Sequence, residues 1–383
     1  MRVRTAVLRE MGAERPYADS KPLSVEEVEL DPPGPGELLV KVRAAGLCHS
    51  DLSVIDGSRP RVMPMALGHE AAGEVVEVGP RPSTFNPGDH VVLAFVPACG
   101  DCEPCRAGRA ALCEPGAAAN HAGTLLSGER RLRLLGDGDG DGNGDGELNH
   151  HLGVSAFSDH IVVSEHSAVR VDPELPFELA ALFGCAVLTG VGAAVNAARV
   201  EPDQSVVVFG LGGVGLSALL GAVLQEAGTL IAVDVVAEKL ELARELGATH
   251  AVPAGPEAVA EIREITEGGA DHAIETVGSA KVLHDAYAAT RRGGATTTVG
   301  LPDPSQMLEI PAVSLVAEER TLRGSYLGSS VPARDLPKFI ELHREGRLPV
   351  ERLLTHRLSL DEINEGFDRL ASGEAVRQAV IFD

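Results

Sequence analysis

The stretch VVVFGLGGVG, residues 206–215, constrains this chain more than any other. Its apolar opening reads as a buried strand. Gly210, Gly212 and Gly215 follow as G-x-G-x-x-G, with Gly213 and Val214 completing the loop, and a helical run GGVGLSALLGAVLQEAG begins within it. Glycines there permit a tight turn and bring a pyrophosphate close to a helix N-terminus. Asp234 ends the next apolar run, TLIAVD, nineteen residues after the last glycine. A carboxylate at that place accepts from a ribose 2′-hydroxyl and repels a 2′-phosphate, which points to NAD rather than NADP. A glycine-rich turn alone can be merely structural; strand, helix and acid in register make a dinucleotide loop.

The surrounding rhythm agrees. After Cys185, strands such as HAVPA, DHAIETV and GATTTVG alternate with helices near 256–267 and 280–291. That alternation predicts a doubly wound parallel sheet, a Rossmann-type domain over 187–327. Residues 1–186 read instead as short β segments (TAVLRE, LLVKVRAAG, AAGEVVEVG, DHVVLAF, SDHIVVS) broken by Pro and Gly, an irregular all-β region. From about residue 330 the chain offers the helix ARDLPKFIELHREG, more helix near 360–372 and a last strand, AVIF. This tail, 328–383, is expected to rejoin the first domain. A chain of 383 residues is comfortable for two domains.

Charge excludes some partners. With 56 acidic against 33 basic residues the net charge is −23, which repels phosphate backbones, and no Lys/Arg-rich run offsets it. A nucleic-acid module built on the cysteine-rich segment described next is disfavoured for that reason and for the lack of Trp and the presence of only three Tyr. The N-terminus MRVRTAVLRE lacks the apolar stretch of a signal peptide. No window approaches 18 charge-free apolar residues, so no membrane span is expected. A cytoplasmic setting follows, where thiols stay reduced and metal ligation is favoured over disulfides. The repeat GDGDGDGNGDGE within 136–147 suggests a calcium loop, but the twelfth position of the EF-hand template falls on Leu148 or His150 instead of Glu. A flexible, solvated insert is the expectation.

Four of the six cysteines fall in CGDCEPCRAGRAALC, residues 99–113. Cys99, Cys102, Cys105 and Cys113 have the spacing of a four-sulfur structural zinc lobe, bounded here as 97–115. An iron–sulfur run wants three residues before its fourth Cys and a Pro after it; here there are seven, and Glu114 follows. Cys48, in GLCHSD, and Cys185, in LFGCAVLTG, stand apart, and LGHEAAG between them contains His69 and Glu70. Two thiolates and one imidazole are a three-ligand set that leaves a zinc position open for chemistry. Taken singly, a lone Cys is more often a small buried hydrophobe and a lone His a packed side chain.

With GLCHSD, LGHEAAGEVVEVG, the cysteine lobe, FGCAVLTG, GLGGVG and EGFDRLASGEAVR in order and at matching spacing, the chain resembles the zinc-containing alcohol dehydrogenases of the medium-chain dehydrogenase/reductase family. The match runs over nearly its whole length. The resemblance implies a GroES-like catalytic domain, two zinc ions per subunit and reversible oxidation of a primary or secondary alcohol with NAD to an aldehyde or ketone. It assigns Cys48, His69 and Cys185 to the catalytic zinc, with Glu70 close behind it. Ser50 matches the hydroxyl that passes the substrate proton outward. His49 and Arg377 match groups near the coenzyme pyrophosphate, and Asp234 and Lys239 those at the adenosine ribose. Thr189 matches a residue beside the nicotinamide, and Phe95 one that lines the substrate pocket.

Departures from the family pattern narrow the reading. Ser53 stands where many relatives end the proton relay with a histidine, which leaves ribose hydroxyls and water as the exit. Arg59 and Arg61 replace the acidic residues of the glutathione-dependent formaldehyde branch, and EPGAAAN lacks that branch's arginine. Few bulky aromatics favour a roomy pocket for medium-chain or aromatic alcohols. The long loop after the lobe matches forms that pair as homodimers, with a tetramer as the other possibility, and the pairing is expected through strands near 297–327. An alternative within the same fold is a nicotinoprotein, in which NAD(H) stays bound and an external acceptor regenerates it.

Overall fold

The computed structural model describes residues 1–135 and 146–383. The Asp/Gly insert expected at 136–147 lies outside the described residues, apart from Gly146 and Glu147 at its end. The chain divides into two compact units, Met1–Cys185 with Val331–Lys338 and Leu354–Asp383, and Ala186–Ser330 with Phe339–Leu353. Residues 339–353, placed with the first domain from sequence, belong instead to the second unit. Their helix, Pro332–Arg344, starts in one unit and ends in the other.

The first unit is built on two β-structures. Strands Arg2–Leu8, Leu23–Leu30, Leu132–Leu134, Glu147–His150 and Met65–Ala66 close into a small barrel. A larger sheet runs Ala168–Arg170, His90–Leu93, Ala71–Val78, Glu37–Gly46, Arg377–Ile381 and Leu354–Leu358, with His160–Ser164 also paired to Glu37–Gly46. The antiparallel register Ala45↔Ala71 and Ala379↔Gly46 draws three distant segments to one sheet end. The chain leaves the first of these strands into Cys48, enters the second from His69 and Glu70, and enters the third at Arg377. This region is not all β. Helices His49–Ile55 and Glu114–Ala122 interrupt it, because Ser, Asp and Ala-rich stretches follow Cys48 and Cys113.

One helical stretch, Phe177–Ala198, corrects the expectation that no segment is long and apolar enough to cross a membrane. Its 22 residues pass that test by length and composition, at a mean hydropathy of 1.8. It is nevertheless 83% buried within the protein. A helix apolar on every side suits a core as well as a bilayer. Gly184 lets it lie close to the sheet, since a Cβ there would stand 2.4 Å from the Leu93 carbonyl oxygen.

The second unit contains a six-stranded parallel sheet in the order His250–Pro253, Thr229–Asp234, Ser205–Phe209, Ala270–Glu275, Thr290–Thr298 and Thr321–Gly324. Val207, Phe209, Ile231 and Val233 are buried in its core, as apolar runs in a sheet covered on both faces require. Chain order reverses on either side of Ser205–Phe209. Ligands of doubly wound sheets bind at the carboxyl end of such a strand. The glycine loop leaves at that point.

Candidate active site

Cys48, His69 and Cys185 offer ligand atoms that all lie within 4.8 Å of one another, and all three residues are buried. Cys48 caps the helix His49–Ile55, His69 precedes a strand, and Cys185 sits in a π-helical turn, Phe183–Val187. His69 Nδ1 lies 3.0 Å from Asp51 Oδ2. A proton held on Nδ1 toward that carboxylate leaves the Nε2 lone pair for a metal. Both ring nitrogens of His69 are buried and neither makes a hydrogen bond among the described residues, so Nε2 has no competing partner there. The orphaned nitrogen and the two thiols fit zinc, which takes N and S donors tetrahedrally.

The electrostatics are those of a site made for a cation. A hydrogen bond with Cys185 holds the Cys48 thiol well below its ordinary value; burial opposes this, and the charge of His69 adds to it. The same bond, with burial, pushes Cys185 well up. Burial acts to lower His69, yet the charges of Asp51 and Cys48 raise it well above normal. Behind the cluster, Arg377 Nη2 donates to Glu70 Oε1 in a pair sealed from solvent. Burial pushes Glu70 up to about 7 even though Arg377 pulls the other way. Gly46 makes room for that carboxylate, because a Cβ there would stand 2.2 Å from Glu70 Oε1.

Cys99, Cys102, Cys105 and Cys113 form a second cluster within the same 4.8 Å limit. Backbone amides already point at the sulfurs: Cys99 N donates to Cys113 Sγ at 3.2 Å, Cys102 N to Cys99 Sγ at 3.4 Å and Gly116 N to Cys113 Sγ at 3.4 Å. Amide donors favour thiolate over thiol. A backbone hydrogen bond accordingly lowers Cys102 to about 7, whereas burial pushes Cys105 up to about 12. Four sulfurs, with no further donor grouped with them among the described residues, fit a closed structural zinc site.

In the second unit, Gly212 caps the helix Gly213–Leu224. A Cβ on Gly212 would meet nothing within 4 Å, and one on Gly215 would stand 1.7 Å from the Gly210 carbonyl oxygen. The loop is thus tight beneath and open above, a cradle for a phosphate at Gly210–Gly215 with Gly213 and Val214 on its first turn. Asp234 is anchored from both oxygens: Leu211 N donates to Oδ2 at 2.6 Å and Val236 N to Oδ1 at 2.9 Å. Burial lowers Lys239 while Asp234 acts in the opposite direction. Thr189 is buried and its hydroxyl has no hydrogen-bond partner among the described residues.

The remaining candidates lie in the first unit. His49 is exposed and Ser50 half-buried, both in the first turn after Cys48. The Phe95 ring meets His69 edge-on at 5.5 Å, and the Phe95 carbonyl accepts from Asn120 Nδ2 at 2.8 Å. The Ser53 hydroxyl donates to the His49 carbonyl at 2.8 Å, turned toward its own helix.

Sequence reasoning missed Asp51 and His151. Both are buried, and with His69 they form a third close group. Asp51 carried a faint signal, lying three residues after Cys48 and so about one helical turn on. His151 carried none.

Comparison with known proteins gives this geometry its family. The family described as "Alcohol dehydrogenase GroES-like domain" matches residues 34–173, and that described as "Zinc-binding dehydrogenase" matches residues 213–345. An NDMA-dependent alcohol dehydrogenase of Amycolatopsis methanolica is 38% identical over 100% of this chain and 99% of its own length. An S-(hydroxymethyl)glutathione dehydrogenase of Escherichia coli is 36% identical over 95% of this chain and 97% of its own. The crystal structure of benzyl alcohol dehydrogenase from Acinetobacter calcoaceticus superposes with a TM-score of 0.90 at 32% identity, covering 100% of both chains. The chain belongs to the zinc-containing alcohol dehydrogenases of the medium-chain dehydrogenase/reductase family.

Proposed function

We propose that this zinc-dependent alcohol dehydrogenase holds its catalytic zinc on Cys48, His69 and Cys185, holds a structural zinc on Cys99, Cys102, Cys105 and Cys113, and uses NAD. The observation that carries the reading is the first cluster, two thiols and an imidazole within 4.8 Å, with a buried Nε2 that has no hydrogen-bond partner among the described residues. When bound, zinc supplies Lewis-acid polarisation of the substrate oxygen and NAD accepts the hydride.

The chain's own residues do the rest. Asp51 fixes the tautomer and direction of His69. Glu70 and Arg377 form a neutralised layer behind the ligands. Ser50 takes the hydroxyl proton toward solvent from the first turn of its helix. The next hydroxyl, Ser53, is committed to the His49 carbonyl and does not extend that path. Phe95 walls the pocket beside His69, and Asn120 holds the Phe95 backbone in place. The glycine loop cradles the pyrophosphate, Asp234 with Lys239 takes the adenosine ribose, and the free hydroxyl of Thr189 serves the nicotinamide. By family likeness, His49 and Arg377 remain candidates for the pyrophosphate.

Small-molecule alcohols are the substrates of this family. A medium-chain or aromatic alcohol is the proposed class here, supported by the likeness to a benzyl alcohol dehydrogenase. The test is the rate at which reduced nicotinamide appears across benzyl, medium-chain and short alcohols, first with NAD and then with NADP. A rate with NAD, ranked toward aromatic or medium-chain alcohols, is the expected result. Full turnover by zinc-depleted protein would falsify the metal assignment.

The likeness to an NDMA-dependent enzyme favours one second reading, in which NAD(H) never leaves. Dependence on an added compound is what a permanently held coenzyme imposes. Nucleotide released in stoichiometric amount on denaturing the purified protein separates the two readings.

A homodimer joined near 297–327 is the proposed assembly. Thr321–Gly324 is an outer strand of its sheet, and Met307, Val313 and Val316 nearby are 80%, 71% and 81% exposed. Sizing in solution checks it. A cytoplasmic setting is proposed, where thiols stay reduced and open to metal ligation.

A further inference from the structure

We infer that His151 is a positioning residue for the metal ligand His69, acting through Asp51. This inference rests on the proposed assignment of Cys48, His69 and Cys185 as zinc ligands.

The placement of His151 follows from the barrel register. The two-residue strand Met65–Ala66 runs parallel to Glu147–His150, with Met65 opposite Asn149 and Ala66 opposite His150. Parallel strands leave a sheet at the same end. The chain therefore passes from Ala66 through Gly68 to His69 while its partner passes from His150 directly into His151. Two further bonds hold that exit: His151 N donates to the Ala66 carbonyl at 3.2 Å and to Ser155 Oγ at 3.1 Å.

The carboxylate of Asp51 lies between the two imidazoles. Oδ1 accepts from Gly68 N at 3.0 Å and lies 2.9 Å from His151 Nδ1; Oδ2 lies 3.0 Å from His69 Nδ1. Asp51 and His69 are fully buried, and His151 is 1% exposed. With the Gly68 amide alone on Oδ1, the carboxylate is free to swing about its terminal torsion, which is broad for Asp. A ring nitrogen 2.9 Å from the same oxygen restricts that swing and so the direction in which Oδ2 meets His69. The His151 ring also stands edge-on to His69, with centroids 5.5 Å apart and planes at 89°. A buried imidazole must find a polar partner, and here the carboxylate it reaches is the one that orients the ligand. Groups that orient a ligand in this way are worth about 10- to 100-fold in metal affinity.

The experiment measures zinc loss from the holoenzyme to a chelator, with the ligand-field spectrum of cobalt exchanged into the same site as a second readout. His151→Phe keeps an aromatic ring and removes the donor; His151→Leu carries the same expectation should the larger ring not be accommodated. His151→Asn keeps an N–H donor near the position of Nδ1. The expected result is release at least about 10-fold faster in His151→Phe with a shifted cobalt spectrum, and release within about 3-fold of the parent in His151→Asn. In a background already carrying Asp51→Asn, the His151→Phe effect is expected to shrink to less than about 2-fold, because the path through the carboxylate is gone. Parent-like release and spectrum in His151→Phe overturn the inference. So does equal loosening in His151→Phe and His151→Asn, which makes the ring a filler, and so does an undiminished effect in the Asp51→Asn background. A parent whose zinc content is unaffected by Cys48→Ala removes the metal assignment itself, and that outcome is distinct from all of these.

Discussion

Arg377 and Glu70, 307 residues apart in sequence, form an ion pair with both side chains buried beneath the proposed catalytic ligands. Burial pushes against both charges; the Glu70 carboxylate holds Arg377 in its charged form, while burial raises Glu70 to about 7 against the pull of Arg377. Glu70→Ala leaves a guanidinium uncompensated in the interior, at an expected cost of about 3–5 kcal/mol. Replacing both residues by apolar ones is expected to recover part of that loss. Denaturant unfolding of the two single variants and the double variant reads the difference.

Cys48→Ala or His69→Ala is expected to abolish turnover and leave the fold intact, with the protein losing one zinc and keeping the other. Metal analysis beside far-ultraviolet circular dichroism checks both halves. A Cys48→Ala variant that retains both its zinc complement and its rate contradicts the site.

Cys113→Ser acts on the other cluster. Cys113 is buried and its sulfur accepts from the amides of Cys99 and Gly116. The variant is expected to lose the structural zinc and unfold several degrees lower, because metal binding there is folding free energy. The fraction that stays folded keeps its rate. Thermal scans with and without chelator distinguish this from a lesion at the catalytic cluster.

Asp234→Gly removes the charge that repels a 2′-phosphate, and discrimination against NADP is expected to fall by about 10-fold or more, roughly the effect of one charged contact. The same carboxylate ties down the Leu211 and Val236 amides. Some loss of NAD affinity and of thermal stability therefore accompanies the change. Steady-state constants for both coenzymes measure it.

His150 supplies a pH dependence. It is fully buried, and burial, with Arg130 and Arg131 adding to it, lowers it from 6.5 to about 3. Its Nε2 accepts from the Arg131 amide at 3.1 Å. The folded chain keeps this imidazole neutral, whereas the unfolded chain takes up a proton below about pH 6.5. Its contribution is therefore complete above that pH and is lost as the pH falls toward 3. The slope is about 1.4 kcal/mol per pH unit, or about 2 kcal/mol by pH 5. His150→Asn is expected to be less stable than the parent at pH 7 and to close the gap as the pH drops to 5. A gap independent of pH refutes the assignment.

Local chemistry was readable in the sequence where one short segment carries it. The four-cysteine lobe and the loop from Gly210 to Gly215 stand out because the spacing within one short segment is itself the pattern of a zinc lobe and of a dinucleotide loop. Cys48, His69 and Cys185 needed the family likeness, since each looks ordinary by itself. Asp51 and His151 escaped because their roles come from a barrel register that pairs residues 65–66 with 149–150, and no local pattern encodes such a pairing. The helix Phe177–Ala198 escaped for a different reason. It is buried nearly all round and so has no polar face to mark a period of 3.6. Residues 339–353 were assigned to the wrong unit because a helix that bridges two units looks, along the chain, like part of either.

The strand Arg377–Ile381, set between Glu37–Gly46 and Leu354–Leu358, has a consequence for biosynthesis. A ribosome adding about 10 residues per second delivers Glu70 about half a minute before its counter-ion Arg377, 307 residues later. The larger sheet of the first unit stays open for that interval, whereas the parallel sheet of the second unit, made entirely from residues 205–324, has all its strands before the last strand of the first unit is translated. The half of the enzyme that is translated first is thus the half that matures last, and the carboxylate behind its proposed zinc ligands waits for the end of the message to be neutralised.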